Sequence, residues 1–157
     1  MSLMNILGLK YKEYDPNPFE WTKDKSNIND CTIRAMTKLL NMSWQDVYHL
    51  LSETAINETG LLVNCTRNIR IVLEKYGYKF ESCQCITIGE KLYKTKGTPC
   101  MIGNEEHVVY VDEKGCIYDK RSVLDKDLKK PGIHTSINND TFLGSRAKYY
   151  IYKKEKK

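Results

Sequence analysis

At Gly77 the hydrophobic period of the chain changes, and that change limits the folds available to it. Before Gly77, apolar residues recur at helical spacing. Ile33, Met36, Leu39 and Leu40 form one stripe. Trp44, Val47, Tyr48, Leu51 and Ala55 form a second, and Cys65, Ile69, Val72, Leu73 and Tyr76 a third. These stripes predict helices over about 31–41, 44–55 and 65–76. Asn29 or Asp30, Ser43 and Asn64 stand at their starts, and Ser43 with Asp46 reads as a capping box. Gly77 sits where a helix-ending glycine belongs.

After Gly77 the runs are short and strand-like: Lys79 to Ile88, Pro99 to Ile102, His107 to Val111, Cys116 to Asp119 and Lys148 to Tyr152. Helices followed by strands predict an α+β domain, with the helices packed on a C-terminal antiparallel sheet. Its 157 residues suit a single domain with its own core. Residues 1–28, broken by Pro16 and Pro18, read as an irregular arm held down by Phe19 and Trp21. Residues 122–146 read as a long polar loop.

Charge narrows the functions. The net charge is +5, but four lysines against Glu155 in the basic tail 153–157 carry much of it. The remainder is too small for a nucleic-acid footprint, and the tail reads as a solvated end. No apolar run reaches membrane-spanning length, and the first residues lack the pattern of a signal peptide. A cytoplasmic protein is expected. The six cysteines, at 31, 65, 83, 85, 100 and 116, include no CxxC pair, so neither a zinc site nor a disulfide framework is expected. No phosphate-binding glycine loop or other cofactor motif is present.

Three residues stand apart by their placement. Cys31 opens the first helix, where free amides and the helix dipole favour a thiolate. Arg34, one turn on, adds positive charge or clamps the structure. Asp30 reads as a cap turned back onto helix amides. Of the three histidines, His49 lies off its helix stripe and His134 in the polar loop, whereas His107 opens the strand run HVVYV. The segment HVVYVDEKGCIYD predicts a hairpin. A three-residue loop with Gly115 in the left-handed position pairs Asp112 with Cys116 and sets Asp119 opposite Val109. His107 and Asp119 then become diagonal neighbours on one face. A two-residue loop would turn Asp119 to the other face. Cysteine at a helix start, histidine on one strand and aspartate on its partner make the pattern of a thiol nucleophile, a base and its orienter.

NDCTIRAMTKLLNMSWQDVYHLL resembles the N-terminal motif of small phage- and prophage-encoded cysteine peptidase-like proteins. GNEEHVVYVDEKGCIYD resembles their histidine and aspartate strands. The chain is also similar to the peptidase domains of bacteriocin-exporting transporters and, more distantly, to papain-like enzymes. The likeness covers roughly residues 27–120. It implies a papain-like fold, with Cys31 as nucleophile, His107 as general base and acid and Asp119 as orienting carboxylate. A peptide or protein substrate and a bacterial or phage-infected cell follow from it. Two features depart from the pattern. The Cys31–His107 separation is far shorter than the roughly 130–150 residues of papain and cathepsins. No glutamine precedes Cys31, so Asn27 or Asn29, with the Cys31 amide, is expected to hold the oxyanion. Two rivals remain: an acyltransferase on the same triad, and a non-catalytic phage or mobile-element module that binds a host protein.

Overall fold

A computed structural model describes residues 10–25, 28–84, 86–104, 107–120 and 149–154. The architecture is α+β. Among the described residues, four helices, α1 (Cys31–Leu40), α2 (Trp44–Thr54), α3 (Thr66–Lys75) and α4 (Ile88–Lys94), accompany six strands. The strands are β1 (Lys10–Glu13), β2 (Tyr78–Cys83), β3 (Cys100–Gly103), β4 (Val108–Val111), β5 (Cys116–Asp119) and β6 (Tyr149–Lys154). They form one sheet in the order β1-β5-β4-β3-β6-β2.

The sheet is mixed rather than antiparallel, because β1 pairs in parallel with β5 from Lys10↔Cys116 to Glu13↔Asp119. The arm 1–28 is therefore not wholly irregular. Lys-Tyr-Lys-Glu shows no apolar alternation, so only its partner makes it a strand. A single 3₁₀ turn, Glu20–Thr22, follows. Phe19 packs edge-on against Trp44, whereas Trp21 is exposed rather than packed down.

Each face of the sheet carries its own core. Ile33, Met36 and Leu39 of α1, Val47 and Leu51 of α2 and Ile69, Val72 and Leu73 of α3 pack on Met101, Val108, Tyr110 and Tyr152. On the other face, Ile88 and Leu92 of α4 meet Cys100, Ile102, Val109, Val111, Ile117, Tyr149 and Ile151. The period-2 alternation of β3, β4 and β6 divides their residues between these two layers.

Several boundaries differ from expectation. The strand from Lys79 stops at Cys83, and Ile88 opens α4 instead. Thr87 caps α4, its hydroxyl accepting from the Glu90 amide at 3.1 Å. This capping box was the sequence signal for the helix. Ser43 caps α2 in the same way through the Asp46 amide. Past Thr54 the chain continues as a π-helical turn, Ala55–Thr59, which ends at left-handed Gly60. Asn64 does not cap α3. Cys65 holds that position without a side-chain bond, and Asn64 Nδ2 donates to the Asn29 carbonyl at 3.1 Å. Gly77, at φ 87°, follows α3 as expected.

Lys153 and Lys154 are not a loose tail. They lie in β6, paired with Lys79 and Tyr78 of β2. The long loop 122–146, His134, Cys85 and Lys148 lie outside the described residues. Among the described residues, no helix is long and apolar enough to cross a membrane.

Candidate active site

The site lies at the end of the sheet where β3 and β5 finish and β4 and β6 begin. The β4–β5 hairpin sets its register. Gly115 adopts φ 84° and its amide donates to the Asp112 carbonyl at 3.0 Å. The Asp112 carboxylate accepts the amides of Lys114 (2.9 Å) and Cys116 (2.8 Å), which tightens the turn. Tyr110 pairs with Tyr118 and Val111 with Ile117, as the three-residue loop requires. Asp119 therefore reaches back to His107, and Nε2 and Oδ2 lie 2.6 Å apart.

His107 sits one residue before β4, in the turn from β3. Asn104 holds it there: its Oδ1 accepts the His107 amide at 2.9 Å, and its own amide donates to the His107 carbonyl at 3.0 Å. Gly103 makes this approach possible. A Cβ at Gly103 would lie 2.6 Å from Val108 Cγ2, 2.7 Å from the His107 carbonyl oxygen and 2.9 Å from Val108 Cα. Two of those three atoms are backbone and cannot rotate away.

Cys31 begins α1, which packs against β4. Its thiol hydrogen-bonds with His107 and accepts from the Val108 amide. Since Asp119 occupies Nε2, Nδ1 is the ring nitrogen left for the sulfur. The chain Cys31–His107–Asp119 is thus continuous.

Electrostatics follow from this contact. Burial pushes the Cys31 thiol up, but the hydrogen bond and charge of His107, the Val108 amide and the Arg34 guanidinium outweigh it. The thiol lies below its ordinary value. Burial works against the His107 cation, yet the hydrogen bonds and charges of Asp119 and Cys31 raise its pKa to about 9. Both shifts favour the thiolate–imidazolium form of the pair. Burial instead pushes Cys83, Cys100 (to about 12) and Cys116 upward.

Asp30 departs from its expected role. It occupies the N-cap position, but its carboxylate caps no helix amide. One oxygen pairs with Arg34 Nη1 at 2.6 Å. The other accepts Asn17 Nδ2 at 3.0 Å and Trp44 Nε1 at 3.1 Å. No side-chain cap therefore competes for the dipole of α1 at Cys31. Arg34 continues the network, its Nη2 lying 3.2 Å from Asp119 Oδ1. Asp119 Oδ1 also accepts the Lys120 amide at 2.8 Å.

The oxyanion candidates fare unevenly. Asn27 lies outside the described residues. Asn29 is exposed, left-handed at φ 60°, and fixed through its carbonyl by Asn64. His49 is a surface residue, its side chain 74% exposed and 3.0 Å from Glu53. Tyr150 of β6 was not foreseen. Burial, and after it the negative charge of Cys31, push its hydroxyl up to about 12.

No known family, curated protein or solved structure matches this chain. Its chemistry is therefore read from the geometry. Among the described residues no cluster of three or more His, Cys, Asp and Glu side chains is arranged to hold a metal ion.

Proposed function

We propose that the chain is a papain-like cysteine peptidase or amidohydrolase acting on a peptide or protein. The observation that carries this reading is the hydrogen-bonded chain from Cys31 through His107 to Asp119, with its lowered thiol and raised imidazole. The Cys31 thiolate attacks the substrate carbonyl carbon, and the carbonyl electrons move onto oxygen. The Cys31 amide, with Asn27 or Asn29, is the expected donor set for the oxyanion. His107 gives its proton to the leaving amine as the C–N bond breaks, which leaves a thioester on Cys31. The neutral His107 then takes a proton from water, and hydroxide releases the acyl group as a carboxylic acid. Asp119 holds the imidazole in orientation throughout and stays ionised.

The phage or prophage setting rests on the resemblance of the NDCTIRAMTKLL segment. If an amine replaces water in the second step, the same triad is an acyltransferase. As a binding module for a host protein, the chain would have no use for a thiol matched to a charged imidazole, and this favours the enzyme.

The test is covalent trapping of the nucleophilic thiol as a thioether. The native chain and Cys31→Ala are incubated with a mixture of peptide vinyl sulfones of varied sequence, and intact mass is recorded. One adduct on Cys31, absent from Cys31→Ala and strongly reduced in His107→Ala, is expected. No adduct with any member of the mixture would favour the binding module.

A further inference from the structure

Arg34 stands one turn after the nucleophile on the same helix face. It is 9% exposed, and its side chain spans two elements far apart in sequence. Nη1 takes Asp30, the residue before Cys31, at 2.6 Å, and Nη2 takes Asp119, the last residue of β5, at 3.2 Å. Both carboxylates are nearly fully buried. A planar guanidinium holds two carboxylates at fixed angles, which a lysine ammonium does not. Asp30 is anchored in turn by Asn17 and Trp44.

We propose that Arg34 is a positioning residue for the triad: it ties the helix that carries Cys31 to the strand that carries Asp119. It also adds a fixed positive charge beside the thiolate. This inference rests on the cysteine-nucleophile reading and adds a part that the three triad members do not contain.

The groups facing Cys31 are His107 from the turn before β4, Arg34 from α1 and Tyr150 from β6. Asp119 faces His107, Arg34 and the Lys120 amide. The Lys120 ammonium is turned away, onto the carbonyls of Thr22 and Lys25 and toward Asp15. Once Arg34 is neutralised, Asp119 keeps the Lys120 amide on Oδ1 and His107 on Oδ2 but loses its tie to α1. The thiolate loses a cation, and it loses more if Asp119 turns away from His107. Both effects move the ionisation of Cys31 upward.

The test follows iodoacetamide alkylation of Cys31 in the full chain by mass spectrometry, across the acidic to alkaline range. Alkylation reads the thiolate without a substrate. Arg34→Met is expected to move the acidic limb up by about one pH unit and to slow labelling about tenfold below that limb. Arg34→Lys, which keeps the charge and loses the fork, is expected to move the limb less than half as far. An unchanged limb in Arg34→Met overturns the proposal. If Arg34→Met fails to fold, Asp30→Asn/Arg34→Met removes the stranded carboxylate and is judged by the same criterion. His107→Ala runs beside them. If it leaves labelling unchanged, the nucleophile reading itself falls. If it slows labelling while Arg34→Met does not shift the limb, only the role of Arg34 falls.

Discussion

His107 and Asp119 meet at 2.6 Å because Gly115, eight residues from one and four from the other, turns the hairpin with φ 84°. The left-handed conformation costs a residue with a Cβ roughly 1–2 kcal/mol. Gly115→Ala should therefore lower stability by about that amount in urea unfolding. Any resulting slip of the register by one residue would turn Asp119 to the opposite face. Gly115→Asn, which tolerates the conformation better, should recover most of the loss.

Gly103→Ala attacks the other side of His107. The new methyl meets the backbone of His107 and Val108 below 3.0 Å, so the start of β4 must move. Overpacking of this kind costs about 1–3 kcal/mol. A displaced imidazole weakens the support of the thiolate, and each unit by which the Cys31 pKa rises should slow alkylation below it about tenfold. Alkylation rates of Cys31, with circular dichroism as a folding control, check this. An unaltered rate in a folded variant would show that the approach over Gly103 does not set the geometry.

Asp119→Asn keeps the shape and removes the charge. Asp119 contributes both a hydrogen bond and a charge to the raised His107 pKa of about 9. The imidazole midpoint should therefore fall toward its ordinary 6.5. A titration of the His107 ring by NMR measures it directly. A midpoint still near 9 in the variant would assign the shift to Cys31 alone.

The Cys31–His107 pair also makes stability depend on pH in a specific way. The raised His107 pKa contributes stability that is full below 6.5 and is lost as pH rises through about 9. The lowered Cys31 pKa contributes stability that is full above 9.0 and is lost as pH falls toward its folded value. Near pH 9 the two slopes oppose each other, because His107 of the folded chain and Cys31 of the unfolded chain lose their protons over the same range. The stability difference between the native chain and Cys31→Ser/His107→Ala should therefore change little as pH rises through about 9. Urea midpoints measured from mildly acidic to mildly alkaline pH check the shape.

The parts legible in the sequence were those governed by local chemistry. The DEKG turn specified the hairpin register, and through it the His107–Asp119 contact. The helix stripes specified α1, α2 and α3, and the Ser43 box specified a start. Other features depend on distant partners. β1 has no apolar alternation and exists through its parallel pairing with β5. Asp30 reads as a helix cap by position, but Arg34, Asn17 and Trp44 compete for its oxygens and win. The link from Arg34 to Asp119 joins residues 85 apart, beyond any spacing rule. Tyr150 feels the charge of Cys31 only because β6 lies beside β3, with Gly103 as its partner. α4 was legible through Thr87 and Glu90, but the strand-like run before it masked that signal.

The central claim is that His107 makes Cys31 a thiolate while ordinary thiols are still protonated. Competitive iodoacetamide labelling of the whole chain near pH 6, quantified for each cysteine, tests it most directly. Cys31 should label faster than the other five cysteines, and His107→Ala should abolish that preference. Equal labelling of all six cysteines in the native chain, or a preference for Cys31 that survives His107→Ala, would contradict the account.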